Sequence, residues 1–180
     1  MIHLLKKALK YLFLPLLGIA LLWASYFLLY GNFHKVDKDV YRSAQLFSFN
    51  YLYYIQKHNI KSILNLRGDA SKKWYNDEIA IAKKSNVKHY DYYIGDRQET
   101  TLKQMQEIVN IIKHAPKPLL IHCKAGADRT SLASALYLYA IKHDKHPKRA
   151  ISLMYGHFPW LGSKTSAMDR SFENYVKAHR

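Results

Sequence analysis

The chain has 180 residues, 28 of them basic and 13 acidic, for a formal charge of +15 at neutral pH. That length holds one globular domain and a small appendage. A single cysteine excludes an internal disulfide and any cysteine-rich zinc site, and the ten histidines form no pair at ligand spacing beside a carboxylate, so neither a metal nor another cofactor is expected.

Residues 1–10 are a basic segment carrying Lys6, Lys7 and Lys10. Tyr11 to Tyr30 follows as twenty residues without a charge. As a helix it spans about 30 Å, the thickness of a bilayer core. It is apolar on every face, unlike the helix of a soluble domain. A cleaved signal peptide is the rival reading, but the run exceeds a usual apolar h-region. Its best cleavage candidate, Leu22-Trp23-Ala24, puts a large residue at the outer position. An uncleaved transmembrane anchor is therefore expected. Three lysines precede the span, whereas Lys35 and Lys38 lie further behind it. The positive-inside rule then leaves the N-terminus in the cytoplasm and the domain outside. In a Gram-negative cell this is a single-pass inner-membrane protein with a periplasmic domain. Pro15 falls near the start of the span, where a helix tolerates it.

Residues 31–39 read as a short polar linker that tethers residues 40–180 close to the membrane. Without the first thirty residues the balance is still +12, which suits an anionic substrate or anionic lipid. No recognition motif or continuous basic helix suggests a nucleic-acid partner, and nothing in the sequence sets an oligomeric state. Val40–Arg42 is a strand candidate. Ser48 is placed to cap a helix reaching His58. Ser62–Leu66 reads as a buried strand, Asn76–Ser85 as a helix and Val87–Tyr93 as a strand. Thr101 and Gln104 form a capping box ahead of Leu102, Met105, Ile108, Val109 and Ile112, which keep the helical period. Pro116 and Pro118 end that helix. Leu119–Ile121 is an apolar strand, Ser131–His143 a helix, Pro147 the start of a short helix, and Ala167–Ala178 the last helix. Strands alternating with helices predict an α/β fold, a largely parallel sheet of four to five strands flanked by helices. Ligands bind such sheets at the carboxyl ends of the strands.

The stretch HCKAGADRT, residues 122–130, falls at such an end. A loop leaving a strand and entering a helix converges its amides on one point, and the helix N-terminus adds positive charge. Ala125, Gly126 and Ala127 let the backbone curl. A tetrahedral anion fits that cage, and the same field stabilises a thiolate on Cys123. The planar fork of Arg129 can hold two phosphate oxygens. His122 is expected to be buried and to hydrogen-bond near the loop, orienting it.

This stretch resembles the H-C-x5-R-[ST] signature of the cysteine-dependent protein tyrosine and dual-specificity phosphatases, in their small bacterial membrane-anchored form. The resemblance runs over about residues 39–179 and includes VYRSAQ at 40–45 and LNLRG at 64–68. It implies a phosphotyrosine-phosphatase-like fold and hydrolysis of phosphomonoesters through a phosphocysteine intermediate. Cys123 is then the nucleophile. Arg129 and the loop from Lys124 through Ala125, Gly126, Ala127 and Asp128 bind phosphate, and Thr130 hydrogen-bonds the sulfur. The general acid is an aspartate after the preceding strand, which makes Asp96 the candidate and Asp91 a weaker one. Asp128, just before the arginine, is an alternative acid, similar to that of lipid phosphatases of the C-x4-D-R-T form. Lys124-Ala125-Gly126 also matches tensin-type phosphoinositide phosphatases. The substrate class therefore stays open between phosphoproteins and phosphorylated lipid or inositol head groups. Ser131 stands where the family commonly has glycine. Arg42 and Arg67 are each placed to pair with an acid and brace the loop, a simple structural ion pair being the expectation, and Trp74, Tyr75 and Glu78 are expected to pack and pair locally. A phosphate-binding module without turnover and a rhodanese-like sulfur transferase are the readings outside this class.

Overall fold

The computed structural model describes residues 2–68, 70–160 and 163–180. A helix α1 covers Ile2–Tyr30. It starts nine residues before the apolar run, so Pro15 sits inside the helix rather than at its start. The proline removes one backbone bond there.

The domain is built on five strands: β1 (His34–Lys35), β2 (Val40–Ser43), β3 (Ser62–Asn65), β4 (Lys88–Asp91) and β5 (Leu119–His122). They are ordered β1-β2-β5-β3-β4, with only the β1–β2 pair antiparallel. Segment 31–39 is thus more than a linker. Its His34 and Lys35 pair with Arg42 and Tyr41, and Asn32 is wholly buried. Composition misses this because a two-residue edge strand has no apolar period.

The sheet is covered on both faces. Strand β5 shows how the sequence achieves this, since alternate residues of a strand point to opposite faces. Leu119 and Ile121 join the larger core with Val40, Leu64, Met105, Ile108, Leu132 and Phe172. Leu120 joins Tyr41, Tyr51, Ile55 and Ile63 on the other side. Helices α4 (Leu102–His114), α5 (Asp128–Ala140) and α6 (Ala167–Ala178) pack on the first face. Helices α2 (Ser48–His58) and α3 (Lys73–Lys84) lie together on the second. The capping box of α4 is formed: Gln104 N–H donates to Thr101 Oγ1 at 3.2 Å and Thr101 N–H to Gln104 Oε1 at 3.0 Å. Ser48 does not cap α2; it is the first helical residue, after Phe47.

Two boundaries bear on the site. Strand β4 ends at Asp91, two residues earlier than the apolar run suggests, leaving residues 92–101 as a long loop. Helix α5 starts at Asp128, three residues earlier than expected. Arg129 and Thr130 therefore lie in its first turn, whose free N–H groups carry the positive end of the helix dipole.

Candidate active site

Parallel register brings the carboxyl ends of four strands into one row. Ser43 pairs with His122, His122 with Asn65, and Asn65 with Asp91. The chain leaving each of these positions feeds one edge of the sheet. Cys123 follows β5 directly and is 2% exposed.

The loop from Lys124 to Ala127 is held from below. Gly126 has φ +69°, and a Cβ there would stand 2.6 Å from the backbone of Ser43 and Ala44. Both the left-handed conformation and the contact demand glycine. Gln45 N–H donates to the Lys124 carbonyl at 3.1 Å. Asn32 Nδ2 donates to the Ala125 carbonyl at 3.0 Å.

Arg42 does the most. It is 1% exposed, and its fork reaches the carbonyl of Gly126 at 2.8 Å, Ser131 Oγ at 2.8 Å and the carbonyl of Ala150 at 2.7 Å. Its guanidinium lies 3.9 Å over the Tyr155 ring. Burial draws its pKa from the usual 12.5 down to about 10, while Tyr155 and Cys123 push the other way. Arg42 thus braces the loop through carbonyls and a hydroxyl rather than through the acid expected of it. The departure at Ser131 also finds its use, since a glycine there offers no hydroxyl to Arg42. Arg67 lies 4.0 Å over the Trp74 ring.

His122 is wholly buried, as expected, but its partner is not the loop. Its Nε2 lies 3.0 Å from Glu78 Oε1. Glu78, on α3, is a hub rather than a local pair. It also accepts from Tyr51 Oη at 2.5 Å and Gln45 Nε2 at 2.7 Å, and its Oε1 lies 2.6 Å from His89 Nε2. Burial pushes its carboxyl up, but His122, His89 and Tyr51 outweigh it and hold it well below the usual carboxylate range. The cluster of Glu78, His89 and His122 also brings one possible metal-ligating atom from each residue within 4.8 Å of the others. Ligands about 2.0–2.1 Å from a tetrahedral ion lie about 3.3 Å apart. The 2.6 Å contact is closer than that and fits a shared proton.

Arg129 is 7% exposed. Its Nη1 donates to the carbonyls of Leu66 at 3.3 Å and Ile94 at 3.4 Å, which join the loops after β3 and β4 to the signature. Its buried Nε has no hydrogen-bond partner among the described residues. The Thr130 hydroxyl is also buried without one, so the expected bond to the Cys123 sulfur is not made here. Asp96 lies two residues beyond Ile94, half-buried. Asp91 is engaged on both oxygens, by Asn65 Nδ2 at 2.9 Å and Tyr75 Oη at 2.5 Å.

Asp128 has a partner that the sequence did not suggest. Its Oδ1 lies 2.7 Å from Nδ1 of His157, whose Nε2 lies 2.9 Å from Asp169 Oδ2. His157 is 1% exposed. Burial lowers its pKa, but the two carboxylates reverse this and leave it raised.

Residues 39–143 match the family described as "Polymorphic toxin system, DSP-PTPase phosphatase". The chain belongs to that family. That family places it in the cysteine-dependent phosphatase superfamily. It is 29% identical over 96 residues to the human "Dual specificity protein phosphatase CDC14A", and 28% to the human "Dual specificity protein phosphatase CDC14C". Each alignment covers 52% of this chain but only 14% and 19% of those proteins. Among solved structures, the core catalytic domain of the PP-IP phosphatase SIW14 from S. cerevisiae, in complex with citrate, aligns with a TM-score of 0.63. It is 21% identical, over 81% of this chain and 85% of that one. PTPMT1 in complex with PI(5)P aligns with a TM-score of 0.57 at 16% identity, over 82% of this chain and 99% of that one. At such identities these two show that the DSP-PTPase fold is shared.

Proposed function

We propose that this DSP-PTPase is a membrane-anchored phosphomonoesterase working through a phosphocysteine. The observation that carries the reading is the juxtaposition of buried Cys123, the Gly126 turn and Arg129 at the N-terminus of α5. A phosphate dianion seated in the loop meets backbone N–H groups, the helix dipole and the Arg129 fork. The Cys123 thiolate attacks phosphorus in line with the departing oxygen. The P–O bond breaks as the S–P bond forms, and the loop holds the charge that builds on the equatorial oxygens. Asp96 gives its proton to the leaving oxygen. It then takes one from the water that attacks phosphorus, and the sulfur leaves as thiolate. Asp96 fits this role better than Asp128, because it makes no hydrogen bond or ion pair among the described residues, whereas His157 occupies Asp128 Oδ1. Lys124, exposed on the loop, adds a charge for the incoming anion.

Helix α1 supports the anchor. Lys10–Phe27 has a mean hydropathy of 1.5, and none of its residues is buried. The orientation with the N-terminus in the cytoplasm rests on the lysines before it, and a reporter fused to the C-terminus tests it. Activity in a reporter that works only in the cytoplasm would reverse the orientation. Catalysis is tested with para-nitrophenyl phosphate. Turnover should be blocked by vanadate, which mimics the five-coordinate transition state, and lost in Cys123→Ser. Turnover that survives Cys123→Ser would overturn the mechanism.

A further inference from the structure

The end of the anchor and the catalytic loop form one packed unit. The twenty uncharged residues Tyr11–Tyr30 fill the hydrocarbon layer as a helix, so Tyr30 stands at its edge. Two residues later Asn32 is wholly buried, with Nδ2 on the carbonyls of Ala125 at 3.0 Å and Tyr155 at 2.9 Å. The last carbonyls of α1 are also taken by the domain. Asn50 Nδ2 donates to Leu29 at 2.5 Å and Tyr54 Oη to Tyr30 at 3.0 Å. A Cβ on Gly156 would lie 3.4 Å from the Phe27 ring. Two residues of chain reach at most about 7 Å. The head-group layer on each side of the hydrocarbon is about 5–8 Å deep. The Asn32 side chain and its hydrogen bond add at most about 7 Å more, so the Ala125 carbonyl lies within about 14 Å of Tyr30 and the signature loop stands at the lipid phosphates or just above them.

The surface on both sides of this junction suits that depth. Phe47 and Phe49, stacked at 5.8 Å, are 54% and 65% exposed, and Phe49 directly precedes Asn50. Leu153 and Met154, next to Tyr155, are 61% and 66% exposed. Apolar side chains of this kind cost least where water gives way to lipid. The net charge of +12 outside the first thirty residues draws the domain towards anionic lipid.

We propose that the Cys123 pocket opens within the head-group layer and takes a phosphomonoester carried by a membrane lipid, with Phe47, Phe49, Leu153 and Met154 seated in the interface around it. This rests on the anchored phosphatase reading above. A soluble phosphopeptide must enter the same layer to reach the sulfur, whereas a lipid phosphate is already there.

The test uses the full chain reconstituted in phosphatidylcholine vesicles. One set carries phosphatidic acid, phosphatidylglycerophosphate and phosphatidylinositol monophosphates. The other carries none of these and receives a phosphotyrosine peptide in solution at a matched ester concentration. Para-nitrophenyl phosphate reports on the pocket in both. Phosphate release from lipid should exceed release from peptide by about tenfold or more, and the double variant Phe49→Ser, Met154→Ser should lower lipid turnover about tenfold while para-nitrophenyl phosphate turnover stays within about twofold. Peptide turnover as fast as lipid turnover, or a double variant that leaves the lipid rate unchanged, overturns the inference. The two readings fail separately. If para-nitrophenyl phosphate turnover is lost in Cys123→Ser yet the lipid arm is flat, only the lipid assignment falls. If that turnover persists in Cys123→Ser, the phosphatase mechanism falls.

Discussion

Replacing Arg42 by methionine keeps most of the side-chain volume and removes the fork. Three acceptors then lose their donor at once: the carbonyls of Gly126 and Ala150 and the Ser131 hydroxyl. Hydrogen bonds from a charged donor contribute about 1.5–3 kcal/mol each. The sum overstates the loss, because the variant no longer desolvates a guanidinium, which costs several kcal/mol. A net destabilisation of about 3 kcal/mol remains. For a protein of this size that lowers the melting temperature by about 6–12 °C. The freed Gly126 carbonyl also loosens the loop, so kcat/KM for para-nitrophenyl phosphate should fall about ten- to a hundredfold, or about 1.4–2.7 kcal/mol. Arg42→Lys keeps the charge but not the fork and should recover only part of either loss. Melting is followed by circular dichroism in detergent, and alkylation of Cys123 by iodoacetamide should slow in parallel. An Arg42→Met protein melting within about 2 °C of the parent, with kcat/KM within about twofold, refutes the bracing role.

Gly126→Ala places a methyl group 2.6 Å from backbone at a positive φ. Para-nitrophenyl phosphate turnover should drop at least about a hundredfold because the loop cannot keep its curl; near-normal turnover would count against the loop geometry. Asp96→Asn should slow an alkyl phosphate about a hundredfold or more and para-nitrophenyl phosphate far less, since only a poor leaving group needs the proton. The same pattern in Asp128→Asn, with Asp96→Asn unaffected, would move the acid to Asp128. Because the Glu78 pKa is lowered in the fold, its stabilisation is complete above the unfolded value near 4.5 and is lost as pH falls through the folded value. Glu78→Gln should therefore be less stable by about 3 kcal/mol at pH 7 and converge with the parent in acid, as read by urea unfolding at several pH values. His157 has the opposite sign. Its raised pKa stabilises the fold below about 6.5, and the contribution fades as pH rises through the folded value. His157→Gln should flatten that slope, and a parent protein without one would rule out the charged clasp.

The fold was legible because its signals are local. The unbroken apolar run Leu119–Ile121 marks a strand covered on both faces, and the Thr101–Gln104 box marks where α4 starts. The errors arise where packing overrides the local pattern. Helix α5 begins inside the signature, although Gly126 and Asp128 read as loop: the chain is already helical at Asp128, whose carboxylate suits a first turn. Strand β1 has two residues and no period of its own; its pairing with Arg42 and Tyr41 supplies what the sequence lacks.

The signature was equally legible, because Cys123 and Arg129 stand six residues apart in one continuous stretch. Its supports were not, because each comes from far along the chain. Glu78 reaches His122 across 44 residues, Arg42 reaches Gly126 across 84, and Asn32 reaches Ala125 across 93. No spacing rule connects such positions. A weaker signal existed in VYRSAQ, where Arg42 and Gln45 are polar residues flanking the end of a buried strand. A cation placed in a buried strand needs acceptors, and the carboxyl end of a parallel sheet is where unpaired carbonyls gather. The brace thus follows from the same topology that makes the anion site. Gln45, Asn32 and Arg42 meet the carbonyls of Lys124, Ala125 and Gly126 in turn, so three successive loop carbonyls are held by the residues beneath them. Two of these donors come from β2 and the residues just after it, and the third from the residues that follow α1. For that reason residues 31–39 belong to the domain and its signature loop rather than merely linking it to α1.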